Sequence, residues 1–200
     1  LIACGYPPDL VIISDDAGQF NVLLHALCWV HADRVFQRIV PLNDRHAKEL
    51  AWVRAQIWEI YADLKRYKRN QDPALKRAIE AHFDELCRTR TSFATLNQSL
   101  KRLAKNKKGL LLVLKRPDIP LHNNLSERDI RAYVIKRKIS GSTRSKNGRR
   151  CRDSFTSLIK TCRKQKINFW DYLGDRLGRE NRIPYLPDLL SGQVCLVPGA

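Results

Sequence analysis

The sequence predicts an α/β chain that is mostly α by residue count. Three observations carry this reading. The run "DLVIIS" (9–14) is continuous, apolar and β-branched, as a strand buried on both faces would be. From residue 45 to residue 107, apolar residues recur at helical spacing, with no repeat and no low complexity. Beyond Pro120, amphipathic stretches alternate with short Gly, Ser and Pro punctuation.

Each element follows in order. "LCWVH" (27–31) reads as a second short strand, and "GQFNVLLHA" between the two has room for only a short helix. Two strands alone make no stable sheet, so either more strands lie upstream or the core is incomplete. In 45–67, Leu50, Val53, Ile57, Ile60, Tyr61 and Leu64 share a helical face. In 71–107, Asp72 serves as cap and Pro73 suits the first turn. Ile79, Phe83, Leu86, Phe93, Leu96, Leu100 and Leu103 then form one face, with a break near Thr89 to Ser92. Residues 42–106 therefore read as a helical hairpin or small bundle. Leu110 to Leu114 is either a helix end or a short strand. "PDIPLHNN" is extended, because each Pro biases its predecessor away from helix. A helix starts at Asn124, with Leu125, Ile130, Tyr133 and Val134 on an apolar side. "SGSTRSKNGRRC" (140–151) reads as a basic loop. "RDSFTSLIKTCRKQK" (152–166) is amphipathic, with Phe155, Leu158, Ile159 and Cys162 on one side. "FWDYLGDRLG" gives a further short helix, and a poorly ordered tail is expected after Pro184.

The net charge of +17 is concentrated in one stretch. Residues 101–169 hold 21 Lys and Arg against four acidic residues, and the rest of the chain carries 16 of each sign. An excess so segregated points to a polyanion, and nucleic acid is the expected partner. Arg131, Lys136, Arg137, Lys138, Arg144, Lys146, Arg149 and Arg150 are the expected DNA-contacting cations. No apolar run reaches the roughly 18 residues of a membrane helix, so no membrane partner is expected. The opening "LIACGYPPDL" shows neither the basic region nor the long apolar region of a signal peptide. The chain contains no Met, which suggests a reading frame that begins upstream. Its six Cys are scattered, with no CxxC pair and a single CxxH at Cys28 and His31. Reduced thiols are expected rather than a structural zinc site.

Two short stretches carry chemistry. In "IISDDAGQF" the strand runs into Asp15 and Asp16. Asp is a common turn residue, yet a carboxylate at a strand tip is also well placed to hold a cation. In "NNLSERDIR", Asn124 and Glu127 have the spacing of a capping box. Alternatively Glu127 projects from the first helical turn towards Asp15, where converging carboxylates bind Mg²⁺. Both readings can hold for one residue.

Here the sequence resembles a known family. "PDIPLHNNLSERDIR" looks like the glutamate motif of DDE transposases of the insertion sequence 66 type, with its P-x-x-N-N-x-x-E-R signature. "LCWVHADRVF" resembles that family's C-W-x-H-x-x-R-x-F segment, "IISDDAGQF" its second catalytic Asp, and "NFWDYLGDRL" its C-terminal segment. The resemblance implies a ribonuclease-H-like (DDE integrase-type) core with a helical insertion before the glutamate. It implies DNA transposition: metal-dependent strand cleavage, then transfer of the freed 3′-hydroxyl to target DNA. Two Mg²⁺ or Mn²⁺ ions, roughly 3.5–4 Å apart, would serve the complete enzyme. DNA ends and target DNA are the implied partners. A homo-oligomer when active and a bacterial, nucleoid-associated cytoplasmic location go with them.

Carried over residue by residue, Asp15 and Glu127 are catalytic and metal-binding. Asp15 is preferred to Asp16 because a related S-D-N-G-x-x-F pattern aligns Asp15 with its Asp and Phe20 with its Phe. His31 and Arg34 match the C-W-x-H-x-x-R segment, and Asn123, Asn124 and Arg128 match the glutamate motif. The pattern departs at the first Asp. Only Asp9 precedes Asp15, at the start of the same strand and roughly 20 Å from its tip, and it cannot substitute. The expected organisation is therefore core strands incomplete at the N-terminus in 1–41 and a helical insertion in 42–112. The glutamate segment and helix follow in 113–139, basic helices in 140–183 and the tail in 184–200. Such a chain is a truncated or partial transposase, inactive alone and possessed of an upstream-encoded half as partner. The alternative is a non-catalytic DNA-binding regulator derived from a transposase.

Overall fold

The structure is a computed structural model in which residues 9–16 and 23–191 are described. It is mostly helical with one small sheet. The chain divides into two compact units between Asn124 and Leu125. Among the described residues no helix is long and apolar enough to cross a membrane.

The first unit begins with β1 (Val11–Ser14) and β2 (Leu24–Leu27), a parallel pair in which Val11 faces Leu24 and Ser14 faces Leu27. The second strand thus lies three residues earlier than "LCWVH" suggested. The strand stops at Leu27, Cys28 takes the flanking position, and Trp29 opens α1 (Trp29–Gln37). The expected helix between the strands is corrected for Leu24–Ala26, which is strand; residues 17–22 lie outside the described residues. Both strand and helix are apolar at this junction, so burial alone does not separate them.

Three helices supply most of the core. They are α2 (Asp44–Arg69), α3 (Pro73–Arg88) and α4 (Ala94–Lys105). Asn43 caps α2 by accepting from the His46 amide, and Asp72 caps α3 by accepting from Ala74, one position before Pro73. The predicted break falls between Arg88 and Ala94. There Asn97 Oδ1 accepts from the Thr91 amide while its Nδ2 donates to the Thr91 carbonyl. The expected stripes are the buried faces: Val53, Ile57, Ile60 and Leu64 of α2 meet Ile79, Phe83 and Leu86 of α3, and Leu96 and Leu100 of α4. Leu110–Leu114 forms no strand. It is the end of α5 (Lys107–Leu110) and a 3₁₀ turn over Leu112–Leu114, all buried. Gly109 is needed there, because a Cβ would lie 2.8 Å from the Leu27 side chain of β2. The Pro-rich segment is not wholly extended, since Ile119 N donates to Arg116 O in a turn.

One buried charge was not legible in the sequence. Asp33 of α1 is 1% exposed, and its carboxylate accepts from Arg54 Nε at 2.9 Å, Arg54 Nη2 at 3.1 Å and Gln37 Nε2 at 2.7 Å. This clamps α1 to α2. Removing one partner of a buried pair strands the other charge. Arg54→Ala should therefore lower the stability of this unit by about 3 kcal/mol, measured by urea unfolding. Replacing Asp33 and Arg54 together with apolar residues should cost less than the single change.

The second unit carries most of α6 (Asn124–Ser140), then α7 (Lys146–Lys164), α8 (Phe169–Leu177) and α9 (Leu186–Leu190). The expected apolar side of α6 is largely exposed: no residue of this helix is buried, Leu125 is 72% exposed, and only Tyr133 and Val134 of that side are half-buried. It is tied instead to α7 by polar contacts. Arg152 stacks on the Tyr133 ring and donates to its hydroxyl at 2.8 Å, and Lys164 pairs with Asp129. The basic loop is shorter than expected, because Ser145 caps α7 through the Gly148 amide and draws 146–151 into the helix. A small core joins Cys162, Tyr172 and Leu186, with Leu158, Ile167 and Phe169 packed on it. The tail expectation is corrected for 184–191. Leu186 is buried, Asp175 accepts from the Arg182 and Ile183 amides, and Arg176 stacks 4.1 Å from the Tyr185 ring. Residues 192–200 lie outside the described residues.

Candidate active site and nucleic-acid interface

The β1 tip and the glutamate segment are fixed to neighbouring backbone groups. The Cys28 amide donates to Ser14 O at 3.0 Å, and the next amide, Trp29, donates to Leu121 O at 3.0 Å. Asp15 follows Ser14 directly; His122, Asn123 and the start of α6 follow Leu121. The start of α1 is thus the point to which both motif-bearing segments are tied. Trp29 secures that point: its Nε1 donates to Leu110 O at 3.0 Å, and its ring packs edge-on to Phe83. At the strand end Ser14 Oγ donates to Asp15 O, so His25 Nε2, 2.7 Å away, is the donor to that hydroxyl.

A cleft of about 430 Å³ opens beside the two carboxylates. Its polar lining is Asp15 and Asp16 from the β1 tip, His31, Arg34 and Arg38 from α1, and Ser99, Arg102 and Asn106 from α4. Both helical sets recur at three- and four-residue spacing, which puts each on one face. Asp16 Oδ2 accepts from Arg102 Nε at 2.8 Å and lies 2.7 Å from Arg102 Nη2. Burial works to raise the Asp16 carboxyl, but hydrogen bonds from Asn106 and Arg102 and the nearby positive charges outweigh it. They hold the carboxyl below the usual range. Asp16 is thus a partner of the helical segment.

Arg34 Nη1 lies 2.9 Å from His31 Nε2. A guanidinium can only donate, so Nε2 accepts and the ring proton sits on Nδ1. His31 and Arg34 therefore form a pair on the cleft wall. Cys28, the other half of the CxxH, is buried and is one of four free Cys among the described residues, with Cys87, Cys151 and Cys162. In the glutamate motif, the helix begins at Asn124, so Asn123 occupies the flanking position one residue before the expected cap. Asn123 Oδ1 and His122 Nδ1 are buried and have no hydrogen-bond partner among the described residues. Glu127 lies in the first turn of α6, followed by exposed Arg128.

Asp15 offers hard oxygen of the kind Mg²⁺ takes. Among the described residues, no three or more His, Cys, Asp or Glu gather as a metal cluster would. The donor type fits a divalent cation; the described donors do not by themselves close a shell around one. The eight expected DNA-contacting cations, Arg131, Lys136, Arg137, Lys138, Arg144, Lys146, Arg149 and Arg150, are all exposed on α6, α7 and the turn joining them. The sequence reading missed Arg38, Arg102 and Asn106. Arg102 stands 86 positions from Asp16, and nothing local announces the pairing.

Comparisons with known proteins agree with the motifs. Residues 11–150 match the family described as "Transposase IS66 family". The chain is also similar to a protein described as uncharacterized, y4jO, of Sinorhizobium fredii (strain NBRC 101917 / NGR234). The two are 48% identical over 174 residues, covering 87% of this chain and 54% of that protein. The chain thus spans about half the length of this curated relative. No solved structure matches it. With the match extending from β1 through the glutamate motif into α7, the chain belongs to the IS66 transposase family.

Proposed function

We propose that the chain acts in DNA transposition, as part of a transposase that cleaves DNA strands and transfers them to a target. In this reading β1 and β2 belong to a ribonuclease-H-like core, and α2–α4 form an insertion between its second Asp and its glutamate. Asp15 and Glu127 are the reactive carboxylates and would hold Mg²⁺ or Mn²⁺. When bound, that cation would stabilise charge developing on a phosphodiester. The observation that carries the reading is the pair of successive amides, Cys28 and Trp29, that tie Ser14 and Leu121 to one point. It anchors the Asp15 segment and the base of the glutamate segment by backbone bonds, independent of any side-chain rotamer. The roles of the chain's own groups follow. The His31 and Arg34 pair presents an imidazole and a guanidinium hydrogen-bonded to it on the cleft wall. The exposed cations of α6 and α7 hold DNA through its phosphates and give no base specificity of their own.

The cation sites can be tested without activity. Mn²⁺ added to the full chain should broaden NMR signals around Asp15 and Glu127 before others. Asp15→Asn should remove the effect at the β1 tip. Broadening at neither position would contradict the assignment.

A further inference from the structure

The cleft is lined by more cationic than anionic side chains. Arg34, Arg38 and Arg102 face it, against Asp15 and Asp16. Arg38 is exposed and makes no side-chain hydrogen bond or ion pair among the described residues. Arg34 commits one nitrogen to His31. Arg102 lines the cleft from α4 and pairs there with Asp16. That pair is open to solvent, with the Arg102 side chain 55% exposed and Asp16 39% exposed. Exposed pairs of this kind are weak and readily traded for a better-matched anion. A guanidinium fork suits two oxygens of one phosphate, and the volume of about 430 Å³ lies in the ordinary range of small-ligand clefts.

We propose that this cleft is an anion subsite for a phosphodiester of the DNA strand, built from Arg34, Arg38 and Arg102, and that Asp16 is its internal competitor. Without DNA, Asp16 occupies Arg102. With DNA, the phosphate takes Arg102 and Asp16 is released. The helical segment thereby contributes a strand-gripping residue beside the carboxylates, and Arg102 is a positioning residue rather than a catalytic one. The proposal rests on the DNA-processing reading for the class of its ligand. The subsite shares no residue with the cations of α6 and α7.

The test is a titration of the full chain with the dinucleotide TpT and, separately, with inorganic phosphate, read on the arginine side-chain Nε–H signals by NMR. TpT should shift Arg34, Arg38 and Arg102. Asp16→Asn should tighten TpT binding by roughly tenfold and Arg102→Gln should weaken it by a similar factor, as one charge-assisted hydrogen bond gained or lost implies. Arg38→Gln, at an exposed position, should also weaken it, and Arg90→Gln, exposed and away from the cleft, should not. TpT constants within twofold of the parent for both Asp16→Asn and Arg102→Gln would overturn the proposal. So would shifts confined to α6 and α7, or inorganic phosphate binding as tightly as TpT. A loss of transposition on changing Glu127, together with TpT binding indifferent to Arg102, would sink this inference and leave the transposase reading standing. Arginine-dependent TpT binding in a protein whose transposition ignores Glu127 would do the reverse.

Discussion

In an element carrying this coding sequence, Asp15→Asn and Glu127→Gln should each lower transposition frequency by at least about 10³-fold. Both changes keep shape and remove charge. A group that stabilises developing charge at the reacting phosphate contributes several kcal/mol to the barrier, and each 1.36 kcal/mol is tenfold in rate. Asp16→Asn should act far less, because its carboxylate is engaged by Arg102. The contrast between adjacent residues is the informative part. General damage to the β1 tip would hit both aspartates alike. If Glu127→Gln left transposition untouched, the chain would behave as a non-catalytic DNA-binding regulator, and the carboxylate assignment would fall.

Trp29→Ala should destabilise the first unit by about 3–5 kcal/mol, the usual range for deleting a buried aromatic. Trp29 is 1% exposed and contacts Tyr61 and Phe83, and its ring nitrogen donates to Leu110 O. The change would open a cavity where α1 and α2 meet α3, and leave the Leu110 carbonyl without that donor. Trp29→Phe should recover most of the packing and retain a loss of about 1–2 kcal/mol for the missing hydrogen bond. Urea unfolding followed by near-UV circular dichroism reads both. A loss under about 1 kcal/mol for the alanine variant would mean that Trp29 does not secure the point where Ser14 and Leu121 are tied. In either variant, transposition should fall with the population of folded protein, unlike the Asp15 effect, which should appear at full stability.

The helices of the first unit were legible because their apolar spacing is long and regular. Leu50 through Leu64 and Ile79 through Leu103 run for many turns, and the observed buried faces follow those stripes. The strand–helix junction was not legible. "LHALCWVHA" is apolar throughout, and only the backbone pairing with β1 shows that the strand stops at Leu27. The largely exposed face of α6 was not legible either: its Leu and Ile spacing is compatible with burial, yet polar contacts from Arg152 and Lys164 hold it instead. Of the candidate site, Asp15, His31, Arg34 and Glu127 stood out through motifs. Arg102, Arg38 and the buried Asp33 with Arg54 did not, since their partners or neighbours are distant in sequence or carry no spacing signal.

A role in transposition requires contact between the basic segment and DNA. The most direct measurement is the affinity of the full chain for duplex DNA as a function of salt. Eight exposed Lys and Arg on α6, α7 and the turn between them predict several phosphate contacts. Affinity should then fall roughly 10³-fold or more between 50 and 200 mM salt, as release of condensed counterions requires. Replacing Arg149 and Arg150 together with Gln should flatten that slope. An affinity that changes less than about threefold over the same range would mean fewer than about one phosphate contact, and would contradict a DNA-processing role for this chain.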